Sequence, residues 1–174
     1  MKIALHGYAR AGKDEVGKIL MRLQPGMQRA AMGDMIKKQL DPLIRAHLGF
    51  SAFTEIDSEK TQIRNVLVHW GYANYKSLLH NLMAKVSTLE HCVNTRIFRV
   101  QECRAWIDAG GEVWEVRRPG CGPCEPKEAE ELENCQAARL INQVIDNSQS
   151  LAFLEDEVFA AWHNTSRKEK FRGT

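Results

Sequence analysis

At 174 residues the chain is long enough for one domain with its own core. Its 24 basic and 22 acidic side chains leave a formal charge of +2, too balanced for a nucleic-acid coat protein or a membrane-surface polycation. No apolar run approaches the ~20 residues of a membrane helix, the apolar part of "MKIALHG" is too short for a signal peptide, and five cysteines, an odd count, argue against a disulfide framework, so a cytoplasmic protein is expected.

Residues 2–6, "KIALH", read as a short apolar strand ending at Gly7. From Gly12 onward Val16, Ile19, Leu20 and Leu23 recur at helical spacing, and the pattern stops at "QPG". "MQRAAM" (27–32) is a candidate second strand. "GDMIKKQLDPLIRAHLGF" then places Met35, Ile36, Leu40, Leu43, Ile44 and Leu48 on one helical face. "IDSEKTQIRNVLVHWG" predicts a helix opened by Asp57 or Ser58 and closed at Gly71, and "NYKSLLHNLMAKV" another. "EHCVN" is a weak strand candidate. "VQECRAWIDAGG" is a helix stopped by a glycine pair. "EVWEV" is a strand, "RRPGCGPCEP" a loop, "KEAEELENCQAARLI" a helix, "QVIDN" a strand and "SLAFLEDEVFAAWH" a final amphipathic helix. The remainder, 164–174, is polar and expected to be loose.

Strands alternate with helices, which predicts an α/β fold with a central, mostly parallel sheet. One domain is expected over 1–163, with a helical insertion at about 33–86.

The sharpest motif is "HGYARAGKDEVG" (6–17), close to the phosphate loop G-x-x-x-x-G-K-[ST]. Gly7, Arg10, Ala11, Gly12, Lys13, Asp14 and Glu15 are its candidate nucleotide-binding residues. Glycines let successive N–H groups face an anion. The helix after Lys13 turns its positive end to the phosphates, and Lys13 reaches the terminal ones. The competing reading is a glycine turn in an ordinary βα unit. Asp14 stands where a hydroxyl residue is usual. It is the candidate metal ligand, although an acid also suits the first turn of any helix. Glu15 cannot donate to a phosphate and weakens binding unless it turns outward. Arg10 either covers the phosphates or points to water.

"CGPC" (121–124) matches a redox dithiol but lies late in the chain, in a Pro/Gly loop. Ordinary loop cysteines are the simplest account, followed by a zinc knot drawing on Cys121, Cys124, Cys135 and Cys103.

The chain as a whole resembles the deoxynucleoside monophosphate kinases of tailed bacteriophages, small P-loop kinases that commonly carry G-K-D in the loop. "AAMGDMIKKQL", "EKTQIRNVLVHWG", "RIFRVQECRAWIDAGGEVWEVRRPG" and "VIDNSQSLAFLEDEV" are similar to further segments of that family, so the resemblance runs from Met1 to about Trp162. Two positions depart from it. Glu15 stands where the family has Thr, and Asn94 where it has an Asp able to serve magnesium.

The resemblance implies phosphoryl transfer from ATP, with Mg²⁺, to a (deoxy)nucleoside monophosphate. Arginine forks suit two crowded anionic groups. Lys13, Arg64, Arg96 and Arg118 are the candidate catalytic residues, and Asp34, Lys37, Arg64, Arg99 and Glu102 the candidate substrate contacts. Each arginine competes with an ordinary solvated charge, Asp34 with a helix cap, and Glu102 with capping of its own helix. Arg96 and Arg99 flank the place, near Phe98, where the family arginine falls. Nucleotides are the expected partners, with no membrane, and a homodimer stays open. The alternatives are a kinase acting on a hydroxymethylated base in phage DNA, and a nucleotide-binding protein without catalysis.

Overall fold

The structure, a computed structural model, describes the backbone of residues 1–123 and 126–172 and the side chains of 1–123 and 126–167. The elements in chain order are β1 (Lys2–His6), α1 (Lys13–Leu23), β2 (Gln28–Arg29), α2 (Met32–Leu48), α3 (Asp57–Ala73), α4 (Tyr75–Thr88), β3 (Cys92–Asn94), α5 (Val100–Asp108), β4 (Glu112–Arg117), α6 (Pro126–Ala137), β5 (Gln143–Asp146) and α7 (Leu151–Arg172). Two compact units result: Met1–Ala30 with Lys85–Thr174, and Ala31–Ala84.

The first unit holds a five-stranded sheet in the order β2-β3-β1-β4-β5. Every pairing is parallel. β1 lies at the centre, with Ile3 opposite Val93 on one side and Glu112 on the other. Ile3, Ala4, Leu5 and His6 are all buried, as are Val113 through Val116 of β4. Strands covered on both faces lose the apolar/polar alternation, which is why "KIALH" is a near-continuous apolar run.

One core joins the sheet to α1 and α7. Val16, Ile19 and Leu20 of α1 and Leu154, Val158 and Ala161 of α7 pack with Leu5, Trp114 and Ile145. α7 extends beyond the amphipathic stretch legible in the sequence. Residues 164–172, expected to be loose, continue the helix. Thr165 is buried and donates its hydroxyl to Glu112 Oε2 at 2.6 Å, while Gln143 Nε2 donates to that hydroxyl at 2.7 Å and to the Ala161 carbonyl at 3.0 Å. The candidate strand over 27–32 shrinks to Gln28–Arg29, because α2 already begins at Met32.

The second unit has its own apolar centre, built from Ile36, Leu40 and Ile44 of α2, Ile63 of α3, Leu78 of α4, and Ala52. Asp41 knits the α2–α3 connection to α2. It accepts from the Ser51 hydroxyl and the Ala52 N–H, both at 2.7 Å, and pairs with Arg45 at 2.7 Å. α3 runs past Gly71 to Ala73; Gly71 lies inside the helix, with Ile36 Cδ1 3.0 Å from where its Cβ would be.

Candidate functional site: a phosphate-type loop at the end of β1

β1 delivers the chain to Gly7, and the loop 7–12 curls back to start α1 at Lys13. Gly7 has φ 126°, and a Cβ there would lie 2.4 Å from the Val116 carbonyl oxygen of β4. Gly12, with φ 100°, forms the left-handed entry to α1, and a Cβ there would lie 2.3 Å from Asn147 Nδ2. Only glycine meets both demands. Arg10 also adopts a positive φ, 65°, and is exposed. Ala11 is buried, and its carbonyl accepts from Asn147 Nδ2 at 2.8 Å. The loop is therefore fixed from the neighbouring strand ends, not by its own residues alone.

Lys13 folds over this loop. Its ammonium donates to the Gly7 carbonyl at 2.7 Å and the Tyr8 carbonyl at 2.6 Å. Burial pushes its pKa below the ordinary lysine value. The positive charge of Arg96 pushes the same way, against Glu128, Asp14 and Cys121. Arg96 follows β3, and its backbone N–H donates to Asn94 Oδ1 at 3.0 Å. Asn94 is buried, with its side chain closing that turn. The loop thus gathers an ammonium, a guanidinium that raises its cost, and the positive end of an 11-residue helix. An anion placed there relieves all three.

The two acids behave differently. Asp14 is largely exposed and pairs with Arg29 at 3.1 Å. Glu15 turns along the flank of α1 to Lys18, also at 3.1 Å. Glu15 is thereby paired along its own helix.

The other candidates are placed as follows. Arg118 is exposed just after β4, and its carbonyl accepts from Cys121 N–H at 3.2 Å. Its neighbour Arg117 is committed to Glu115, with bonds of 2.6 and 3.0 Å. Burial raises the Glu115 pKa, but the bonds from Arg117 and Gln136 outweigh it and hold the carboxyl below its usual range. Glu102 caps α5: its Oε2 accepts from Phe98 N–H at 2.7 Å and from Arg99 N–H at 3.2 Å. Arg99 is the residue immediately before that helix. The capping alternative for Glu102 is thus the one its hydrogen bonds express.

In the second unit, Asp34 lies inside the first turn of α2, whose cap position belongs to Ala31. The Lys37 ammonium sits 5.5 Å from the centre of the Phe53 ring. Arg64 is exposed on α3.

Sequence reasoning missed Asn147 and Arg29. Asn147 had a usable signal, since it directly follows an apolar strand, where ligands of open α/β sheets gather. Arg29 had none, because a two-residue edge strand leaves no periodicity. Of the zinc-knot set, Cys103 and Cys135 come together in the core, Cys121 lies in the loop after β4, and Cys124 falls outside the described residues. Among the described residues no helix is long and apolar enough to cross a membrane.

No protein-family model matches the chain, and no curated protein does. Solved structures do. A shikimate kinase from Aquifex aeolicus superposes with a TM-score of 0.58 at 14% identity, over 95% of this chain and 98% of that one. A gluconokinase from Sinorhizobium meliloti gives 0.57 at 13%, over 99% and 97%. A dephospho-CoA kinase from Campylobacter jejuni gives 0.50 at 13%, over 94% and 96%. The chain therefore has the α/β fold of P-loop kinases, as its loop and alternating elements predict.

Proposed function

From the kinase fold and this loop, we propose that the chain is an ATP-dependent phosphotransferase whose acceptor is a (deoxy)nucleoside monophosphate. The observation that carries the reading is the Lys13 ammonium, folded onto the Gly7 and Tyr8 carbonyls and burdened by Arg96, at the positive end of α1. A cation placed at such cost is explained by an anionic ligand.

The donor set suits a nucleotide with a hard divalent ion. Backbone N–H groups of the loop and Lys13 would hold the phosphates, and the exposed Asp14 carboxylate offers the oxygen that Mg²⁺ takes. When bound, the ion neutralises phosphate charge. The protein's own share is positioning: Lys13 and Arg96 offset charge on the transferred group, and Arg118 stands at the adjoining strand end. Arg10 is assigned to the phosphates from its place in the loop. Arg99 and Glu102 shape the chain after β3. The monophosphate acceptor is assigned, by the resemblance, to the helices that carry Asp34, Lys37 and Arg64.

The test is ADP formation with Mg²⁺ and ATP across a panel of nucleoside and deoxynucleoside monophosphates, with Lys13→Ala alongside. Turnover with some acceptors, lost in Lys13→Ala, supports the proposal and names the substrate. ATP binding without turnover on any monophosphate overturns it. Duplex DNA carrying hydroxymethylated bases is then the acceptor to try.

A further inference from the structure

His6, Cys103 and Cys135 meet in the core from three separate elements: the end of β1, α5 and α6. One ring nitrogen of His6 and the two sulfurs all lie within 4.8 Å of one another. All three residues are buried, the cysteines completely and His6 to 2% exposure. The two Sγ atoms are 3.6 Å apart, and both cysteines are free thiols.

The histidine distinguishes this cluster from two thiols in weak S–H···S contact. His6 Nε2 lies 3.1 Å from the Phe98 carbonyl oxygen. A carbonyl only accepts, so in the neutral ring Nε2 carries the hydrogen and Nδ1 holds the lone pair. That Nδ1 is buried, meets no nitrogen or oxygen partner, and faces the Cys135 thiol. A buried imidazole with one nitrogen tied to a backbone carbonyl and the other turned to thiol sulfurs is the arrangement of a metal-binding histidine. The sulfur spacing agrees. Two Zn–S bonds of about 2.3 Å at a tetrahedral angle set the sulfurs about 3.8 Å apart.

We propose that His6, Cys103 and Cys135 form a binding site for a thiophilic divalent cation, of which Zn²⁺ is the type. The two thiols lose their protons to solvent on binding, and the resulting thiolates balance the dication, as a buried site requires. Neutral imidazole is the third ligand. The fourth tetrahedral position is left to a solvent molecule. The cation would tie the end of β1 to α5 and α6, one residue before Gly7, and so brace the strand that launches the phosphate loop. This site is separate from Asp14 and does not depend on the kinase reading.

The probe is Co²⁺, added to reduced protein in a Cys121→Ser, Cys124→Ser background so that the loop thiols cannot contribute. The expected result is a thiolate-to-cobalt charge-transfer band with the visible bands of a tetrahedral site. It should saturate at a single equivalent and be displaced by Zn²⁺. The charge-transfer band should weaken in Cys103→Ser and in Cys135→Ser, and the visible bands should shift in His6→Asn. Absence of a charge-transfer band from folded, reduced protein overturns the proposal, as does a band unchanged by Cys103→Ser. Where a variant fails to fold, alkylation of the background protein decides, read by mass spectrometry. Slower modification of Cys103 and Cys135 in the presence of Zn²⁺ supports the site, and equal rates with and without Zn²⁺ overturn it.

Discussion

The side-chain amide of Asn147 donates to the Ala11 carbonyl across 2.8 Å, joining residues 136 apart in the chain. The same Nδ2 occupies the space that a side chain at Gly12 would fill. One amide, at the end of β5, therefore both shapes and satisfies the loop before α1. Asn147→Ala should leave the buried Ala11 carbonyl without that donor, at about 1–3 kcal/mol. If about 1.4 kcal/mol of this is order lost from the loop, the ATP Kd rises about tenfold. Calorimetric titration with ATP, beside a thermal melt, checks both. Unchanged affinity would show that the loop holds its shape without Asn147.

Gly7→Ala is the harsher change. The added carbon would meet the Val116 carbonyl oxygen at 2.4 Å, at a φ of 126° that L-residues avoid. Strain and overpacking together predict a loss of about 2–6 kcal/mol. The readout is the midpoint of urea unfolding. A shift within error would mean that β1 and β4 can part at this point.

Lys13→Ala removes the ammonium that the loop carbonyls and α1 surround. Turnover should fall on the order of 10²–10³-fold, the usual scale for loss of one preorganised donor to developing charge. Coupled detection of ADP gives the rate, and circular dichroism confirms the fold. A variant retaining full turnover would exclude Lys13 from the reaction.

Asp41 predicts a pH effect confined to acid. Hydrogen bonds from Ser51 and Arg45 hold its carboxyl at about 2, below the ordinary 3.8. The folded form thus releases the proton more readily than the unfolded form. The stability this adds is complete above the unfolded value and is lost as the pH falls from about 4 to about 2. The Tm difference between the native chain and Asp41→Asn should be constant near neutrality and close across that window. A gap that persists at pH 2 would sink the assignment.

Thr165→Val tests the end of α7. It removes a donor to Glu112 and an acceptor for Gln143 while keeping the volume. About 1–3 kcal/mol should go, or roughly 2–4 °C of Tm per kcal/mol for a chain of this size. A melt identical to that of the native chain would mean that water replaces the hydroxyl.

How much of this was legible beforehand depends on the range of each interaction. The strand–loop–helix from Lys2 to Leu23 was readable because each signal is local: a short apolar run, glycines where the backbone must curl, then helical spacing. The α/β alternation and the glycine stop after α5 follow from the same short-range rules. The two carboxylates after Lys13 were visible as letters, but their directions were not. Asp14 goes to Arg29 and Glu15 to Lys18, and only side-chain packing decides that.

The sequence by itself determined most of the elements, their order and the residue types of the loop, since backbone conformational preference and side-chain periodicity act within a few residues. Tertiary structure alone decided that β1 is the central strand, that Asn147 reaches Ala11, and that His6 meets two cysteines. Those outcomes depend on burial shared between segments up to 136 residues apart. No local pattern encodes them, because each forms only once the sheet has brought its strand ends together.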